Sequence, residues 1–420
     1  AEFSPQVDNS AASNFINTVD LGAETDLYLP RFRDYLGFYR FAYGKGKRLL
    51  TERFYQGLKE RANTHVGLGF EYLLIRDFYA FTQFNSRFGY DFNSSATTRY
   101  QINHAALDLL IPTTEPNYDT ILLRNQFLRR SFGNQLFVSL LFRNLDYLRI
   151  GRAGLRGQSL TINLNFETAG GEVYALNELV NALSNRERRF KAGGTTDFAQ
   201  YLRGRLELRY NQKYSGNNSL AARFLFGIAR PFGPTDAVPY VKQFSAGGAN
   251  SMRAWAPRGL GPGGFVDSLS LLRRSDSSNL LLYQTGDLQL ELNFEYRYKL
   301  FWQFKGALFL DIGNVWTLNY ANEDRCGSQF RLSPRRSECG GEPFNHQAFY
   351  RQLAVAAGTG LRIDLSYFIF RLDAALPLRY NYPSSRFAEG TVAESLYWNN
   401  FAGFSFPRSI TWQLGLGYPF

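Results

Sequence analysis

The chain has 420 residues, is 45% hydrophobic and 16% aromatic, and sets 47 Lys+Arg against 36 Asp+Glu for a formal net charge of +11. It has no run of about 18 or more apolar residues, which excludes a transmembrane helix. Arg129, Arg130, Arg188 and Arg189 are scattered through apparent loops, not gathered on one helix or among stacking rings, which argues against a nucleic-acid partner. A soluble chain of this length would usually form two or three domains, but a large β-barrel is one unit. The 26 Tyr and 38 Phe suit the aromatic girdles of such a barrel.

No basic segment followed by an apolar one opens the chain, so a signal peptide has either been removed or was never present. Residues 1–16 are polar and read as a linker-like segment, with one barrel domain expected over 17–420. Strands are expected near 19–29, 64–75, 78–91, 97–111, 134–147, 157–167, 197–211 and 218–231. Two helices interrupt them. Arg48–Arg61 spaces Leu50, Phe54 and Leu58 four apart, and Gly171–Asn185 puts Val173, Leu176, Val180 and Leu183 on one stripe. Both are too short and polar to span a membrane, and they are expected as loop or plug decorations packed by one apolar face, with a membrane-surface role as the alternative.

The connection 232–285 contains the most unusual stretch, Gly247 to Gly264, "GGANSMRAWAPRGLGPGG". It holds the only methionine, two close arginines, a tryptophan, two prolines and a crowd of glycines.

The last third is the most legible. In Asp287 to Tyr298, Leu288, Leu290, Leu292, Phe294, Tyr296 and Tyr298 share one face, and Asp287, Gln289, Glu291, Asn293, Glu295 and Arg297 the other. Alternation without a fault requires a strand. A face that is greasy from end to end, backed by one rich in charge, is satisfied by lipid outside and water inside. The same reading applies near 303–316, 352–364, 366–378 and 409–420. It places Asp311, Arg371 and Asp373 inward and puts Trp412, Leu414, Leu416, Tyr418 and Phe420 on one outward face. Segments of about ten residues, tilted, cross a bilayer core, and open edges do not survive in lipid, so such strands close into a barrel. Thirteen strands are counted, whereas a single-chain bacterial barrel has an even number. Either some have been missed, or the chain begins part-way through a barrel or a longer protein.

Enzymatic signals are poor. His65, His104 and His346 accompany no nucleophile elbow, and the glycine clusters lack the strand-then-helix setting of phosphate loops. No catalysis, cofactor or metal site is expected. Cys326 and Cys339, with twelve residues between them in a polar stretch, fit a disulfide in an oxidising compartment. They make a poor zinc pair even with His346 nearby. Glu295 and Asp311 face inward from consecutive strands and need cations. One candidate is Arg253, delivered by the Gly-rich loop; local Arg297 or Lys305 is an equal alternative.

"GGANSMRAW", followed by "LNFEYRY", "LFLDIGNVW" and "LGLGYPF", resembles the outer membrane protein 85 superfamily, also called the bacterial surface antigen family. The likeness is strongest over 197–420, and "FETAGGEVYAL" and "LYLPRF" are similar to its TamA-like branch. The resemblance implies an all-β fold: a transmembrane antiparallel β-barrel of sixteen strands in the bacterial outer membrane. Its sixth extracellular loop, here 232–285, folds into the lumen, with short helices as decorations. It implies that Arg253 and Trp255 are the loop's signature residues, with Ala254 in place of the usual glycine, and that Glu295 and Asp311 are their partners on the barrel wall. It implies a lateral gate between the first and last strands, where Trp412, Gly415, Gly417 and Phe420 shape the terminal strand and Phe420 resembles an assembly signal. The expected role is insertion or assembly of other outer-membrane proteins, or their translocation. The alternatives are a two-partner-type secretion channel, a passive pore, or a different role in a member without the periplasmic POTRA domains, none of which is visible here. Expected partners are outer-membrane lipid and lipopolysaccharide, an anionic match for the chain's basic balance, together with client proteins and periplasmic or inner-membrane accessory proteins.

Overall fold

The computed structural model describes residues 18–43, 50–75, 79–116, 119, 122–123, 126–154, 156–184, 190–192, 196–214, 218–265, 284–318, 325–339, 341–365, 367–383, 394–401 and 410–420. The N-terminal segment 1–16, most of the second half of the 232–285 connection, and Arg188 and Arg189 lie outside them. Among the described residues the fold is all-β with a few short helices. Its strands are β1 (Thr18–Leu29), β2 (Asn63–Ile75), β3 (Tyr79–Ser95), β4 (Thr98–Thr114), β5 (Gln135–Ser139), β6 (Asn144–Ile150) and β7 (Gln158–Ala169). There follow β8 (Lys191–Ala192), β9 (Thr196–Phe198), β10 (Tyr201–Lys213), β11 (Ser219–Pro231), β12 (Phe244–Ser245), β13 (Thr285–Gly286), β14 (Leu288–Lys299) and β15 (Phe304–Trp316). The last are β16 (Arg335–Cys339), β17 (Glu342–His346), β18 (Ala354–Asp364), β19 (Ile369–Arg379) and β20 (Thr411–Leu416). The helices are α1 (Phe38–Tyr43), α2 (Glu52–Arg61), α3 (Gln126–Ser131) and α4 (Gly171–Ser184).

One sixteen-stranded sheet dominates, and thirteen of its strands follow the path β1-β2-β3-β4-β6-β7-β10-β11-β14-β15-β18-β19-β20. The remaining three, β5, β8 and β9, branch from it. The segment expected as one strand over 134–147 is therefore two. β5 and β6 both pair with β4, over Leu110–Ala106 and Asn103–Thr98 respectively, and the chain bends out of the ladder between them. Arg129 and Arg130, expected in a loop, belong to α3.

The chain forms two compact units. In the unit built mainly from 205–229 and 241–420, the sheet is inside out by the standard of a soluble core. Along β14, Gln289, Glu291, Asn293, Glu295 and Arg297 are buried while Phe294 and Tyr296 are exposed. β15 repeats the pattern, with Asp311 buried and Leu308 exposed, and β20 exposes Trp412, Leu414 and Leu416. Exposed apolar side chains at every second position, backed by buried charge, are what a lipid-facing sheet requires. Hydrogen bonding is continuous across it: β14 and β15 pair from Leu288↔Trp316 to Lys299↔Lys305. Cys326 and Cys339 form a disulfide with Cα atoms 5.7 Å apart, tying the connection after β15 to the β16–β17 hairpin.

In the other unit, mainly 18–150 and 163–204, the polar face holds Arg143 against Asp108 and, at 3.2 Å, Glu167; Tyr201 donates to the same Glu167 at 2.6 Å. The apolar face of β2 to β4 exposes Leu68, Phe70, Phe84 and Leu107. α2 does not enter the polar side, where a plug would sit. Its Phe54 packs edge-on against Phe92 and Tyr100 on the apolar side. The α4 stripe is not a buried face either. Leu176 and Leu183 are exposed, while Asn177 is buried and accepts from the Phe190 amide at 3.1 Å.

The lipid-facing pattern has a direct test. Leu308→Arg puts a charge on the exposed apolar face of β15 and is expected to destabilise the folded protein in bilayers by about 2–4 kcal/mol. This is read as a lower urea midpoint for the heat-modifiable band shift. An unchanged midpoint would show that this face does not meet hydrocarbon.

Candidate functional site

The 247–264 stretch is a compact hairpin held by its own backbone. Gly248 N donates to Trp255 O at 2.9 Å, Trp255 N to Met252 O at 3.0 Å and Gly259 N to Ala256 O at 2.8 Å. Gly247, at φ +116°, has the Ala256 carbonyl where a Cβ would stand, so no other residue allows the chain to double back there. β12 and β13 pair at the loop's base. Met252 is fully buried.

This hairpin delivers Arg253, 1% exposed, to two carboxylates that are each 0% exposed. Arg253 Nε and Nη2 donate to the two oxygens of Asp311 at 2.9 and 2.8 Å, and its backbone amide adds a third bond at 3.2 Å. Nη1 donates to Glu295 at 2.6 Å. The guanidinium also lies 3.5 Å from the centroid of the Phe309 ring. A planar fork satisfies two acids at once, which a lysine cannot do. The local-cation alternative is realised only for Glu295, to which Arg297 donates at 2.8 Å alongside Arg253. Lys305 pairs with Asp364 at 2.7 Å instead. Trp255 packs beside Ala254, Phe309, Ala356 and Ala375.

The site is wider than the four residues expected for it. Arg362 donates to Glu295 at 3.0 Å and also pairs with Asp373, which lies 3.0 Å from Arg371. Arg371 in turn donates to the loop at Ala249 O and Asn250 Oδ1, both at 2.8 Å. On the other flank Arg223 bonds Glu291 at 2.6 Å and Asn250 O at 2.8 Å, and Ser251 donates to Glu291 at 2.6 Å. Alternation had put Arg371, Asp373 and Glu291 on the polar face. Only the register between strands brings them within reach of the loop.

The terminal strand also touches the loop: Thr411 donates to Ala254 O at 3.0 Å and Gln413 to Trp255 O at 3.2 Å. Trp412 is exposed on the apolar face. A Cβ on Gly415 would stand 2.9 Å from Cζ of Arg371, so the guanidinium lies directly over that glycine. The expected alternation to Phe420 fails. The strand ends at Leu416, Gly417 turns at φ +77°, and Tyr418 and Phe420 move to the polar side. There Arg297 Cζ lies 4.0 Å from the Tyr418 ring centroid, and its Nη2 donates to Phe420 O at 3.2 Å. Left-handed backbone at 417 and a following proline with no amide donor end the ladder.

A family model described as Omp85 superfamily domain matches residues 43–412. No curated protein matches. Solved structures resemble the chain at low identity. BamA from Haemophilus ducreyi lacking POTRA domains 1–3 is 12% identical (TM-score 0.48), aligned over 86% of this chain and 59% of that one. CdiB from Escherichia coli is 12% identical (TM-score 0.41; 77% and 48%), and CdiB from Acinetobacter baumannii 9% (TM-score 0.39; 76% and 45%). The chain thus spans about half of the length of each of these three structures.

Removing one side of a buried ion pair leaves the other charge uncompensated. Arg253→Ala is expected to cost about 3–5 kcal/mol, and Arg253→Lys to recover only part of that loss. Urea titration of the heat-modifiable band shift in liposomes measures both. If Arg253→Ala matched the parent, the loop would be held by its other contacts.

Proposed function

The chain belongs to the Omp85 superfamily of bacterial outer-membrane β-barrels, and we propose that it inserts or translocates other outer-membrane proteins without chemical catalysis. In this reading residues 17–420 form the barrel domain and 232–285 its lumen-entering loop. Arg253, Glu295 and Asp311, with Trp255 packed alongside, lock the loop to the wall. The observation that carries the proposal is the contact of one loop with both the ion-paired wall and the terminal strand, through Thr411 and Gln413.

Among the described residues, β20 is the shortest strand that its unit contributes to the main sheet path. It pairs with β19 only from Ala375↔Thr411 to Phe370↔Leu416, six positions, and Gly417 and Pro419 keep the chain beyond it out of the ladder. A short strand at the end of a hydrogen-bonded path leaves backbone donors and acceptors to template an incoming strand. The lateral gate rests on that property, with Trp412 on the lipid side and Gly415 under Arg371. Client outer-membrane proteins are the substrates, and accessory proteins of the periplasm or inner membrane would deliver them. A passive pore fits less well, because the loop's Arg253 is paired with Glu295 and Asp311 inside a cluster of five arginines and four acids.

Two measurements on the full chain in liposomes test the role. The protein is expected to speed protease-protected folding of an added unfolded outer-membrane barrel relative to empty liposomes, and to pass only small, intermittent currents. No acceleration together with a large, steady conductance would favour a passive pore.

A further inference from the structure

The connection from β1 to β2, residues 30–62, is unusual in its unit. β3 and β4 meet at that end of the sheet in a tight turn closed at Ser95↔Thr98, and Leu29↔Thr64 and Asn63↔Asp91 place the 30–62 connection at the same end. Tight turns mark the periplasmic end of a bacterial barrel and long loops the outer one. β2 and β3 also close tightly at the opposite end, at Ile75↔Tyr79, but long connections follow β4 and β7 there, whereas β6 ends beside Thr97 and runs into β7 within seven residues. The long, partly helical connection stands at the end with the β3–β4 and β6–β7 turns.

It also stands on the lipid side. Thr64, Tyr90, Phe92, Tyr100 and Ile102 share the face that further along exposes Leu68, Phe70 and Phe84. α1 and α2 cover this lower part of the face. Tyr39 and Leu58 are buried in one cluster with Tyr90, Phe92 and Ile102. Three polar links fasten it: Tyr39 Oη to His104 Nε2 at 2.8 Å, Tyr35 N to Tyr90 Oη at 2.8 Å, and Arg33 N to Thr64 Oγ1 at 3.1 Å. Asp34 caps α1, accepting from the Tyr39 and Arg40 amides, both at 3.0 Å.

What the pair turns outward is sorted by chemistry. α2 exposes Glu52, Gln56, Lys59, Glu60 and Arg61, a surface that requires water or headgroups. The α1 region exposes Leu36 at 79% and Phe41 at 69%, and Leu27 on β1, paired with Val66, is 60% exposed. Arg31, Arg33 and Arg40 are exposed among them. Apolar tips flanked by arginines, continuous with a lipid-facing sheet, form the signature of an interfacial anchor.

We propose that residues 30–43 and 50–62 form a membrane-surface anchor at the periplasmic rim of the barrel, with Leu36 and Phe41 dipping into the inner leaflet of the outer membrane and Arg31, Arg33 and Arg40 binding anionic phospholipid headgroups. The occupant is the leaflet itself. α2, polar on its outward side, marks the lower limit of the hydrocarbon belt on β3 and β4. The anchor fixes the depth and tilt of this part of the wall independently of what the loop at Arg253 does.

Spin labels test this on the full chain, because its two cysteines are joined in a disulfide and one added cysteine is labelled alone. Leu36→Cys and Phe41→Cys, with Gln56→Cys and Leu107→Cys as references, are reconstituted in phosphatidylethanolamine–phosphatidylglycerol vesicles. Labels at 36 and 41 are expected to be more accessible to oxygen than to a water-soluble nickel chelate, as at 107, with the reverse at 56. Nickel accessibility at 36 and 41 equal to that at 56, as water exposure gives, or low accessibility to both oxygen and nickel, as cover by a protein gives, would overturn the proposal. Where one substitution prevents folding, the other carries the test. The triple change Arg31→Gln, Arg33→Gln, Arg40→Gln is expected to lower retention of phosphatidylglycerol over phosphatidylcholine by about fivefold per arginine. Unchanged retention would remove the headgroup part.

Discussion

A guanidinium 1% exposed cannot remain charged without acids to meet it, and those acids, both fully buried, cannot remain charged without the guanidinium. Arg253, Glu295 and Asp311 therefore impose a mutual constraint on a loop and two strands. The hairpin must enter far enough for the fork to reach Asp311 twice and Glu295 once. β14 and β15 must keep the register that sets the two acids side by side. Arg297, Arg362 and Arg371 extend the constraint to β18 and β19, and Thr411 and Gln413 bring the terminal strand under the same loop.

This arrangement reverses the usual division of labour. In a soluble domain the apolar face drives folding and charge decorates the outside. Here Phe294, Leu308, Phe370 and Leu414 face outward, where lipid tails are as apolar as they are, so side-chain burial adds little once the chain is in the bilayer. Strand hydrogen bonds and the interior ionic network then carry the specification of shape. A wall held by ion pairs has discrete arrangements instead of a continuous range.

Much of this was legible in the sequence, for a simple reason. Period-two alternation reports on a face, and a face that is wholly apolar opposite one that is charged admits few environments. β14, β15, β19 and the inward direction of Glu295, Asp311 and Asp373 follow from it. The meeting of Arg253 with its acids was carried by the family resemblance, since alternation treated Arg297 as equally suitable, and Glu295 in fact takes both. Other features leave no mark in a periodic pattern. The break between β5 and β6 keeps the alternation on each side of it. The turn at Gly417 looks like one more small inward residue until its φ is known. α2 packs by one apolar face, as its spacing predicts, but the surface that receives it was not legible, because Tyr90, Phe92, Tyr100 and Ile102 read the same whether lipid or a helix covers them. The α4 leucines were read as a buried stripe, but amphipathic spacing alone does not say which surface receives it.

The central claim is that Arg253 and its wall acids act as one unit. A double-mutant cycle measures that unit directly, by comparing the unfolding free energies of Arg253→Ala, Asp311→Ala and the double variant in the same liposomes. The account requires a coupling of about 1–3 kcal/mol, the second truncation costing far less once the first has been made. Strictly additive losses would contradict it, because they would mean that the loop and the wall are stabilised separately.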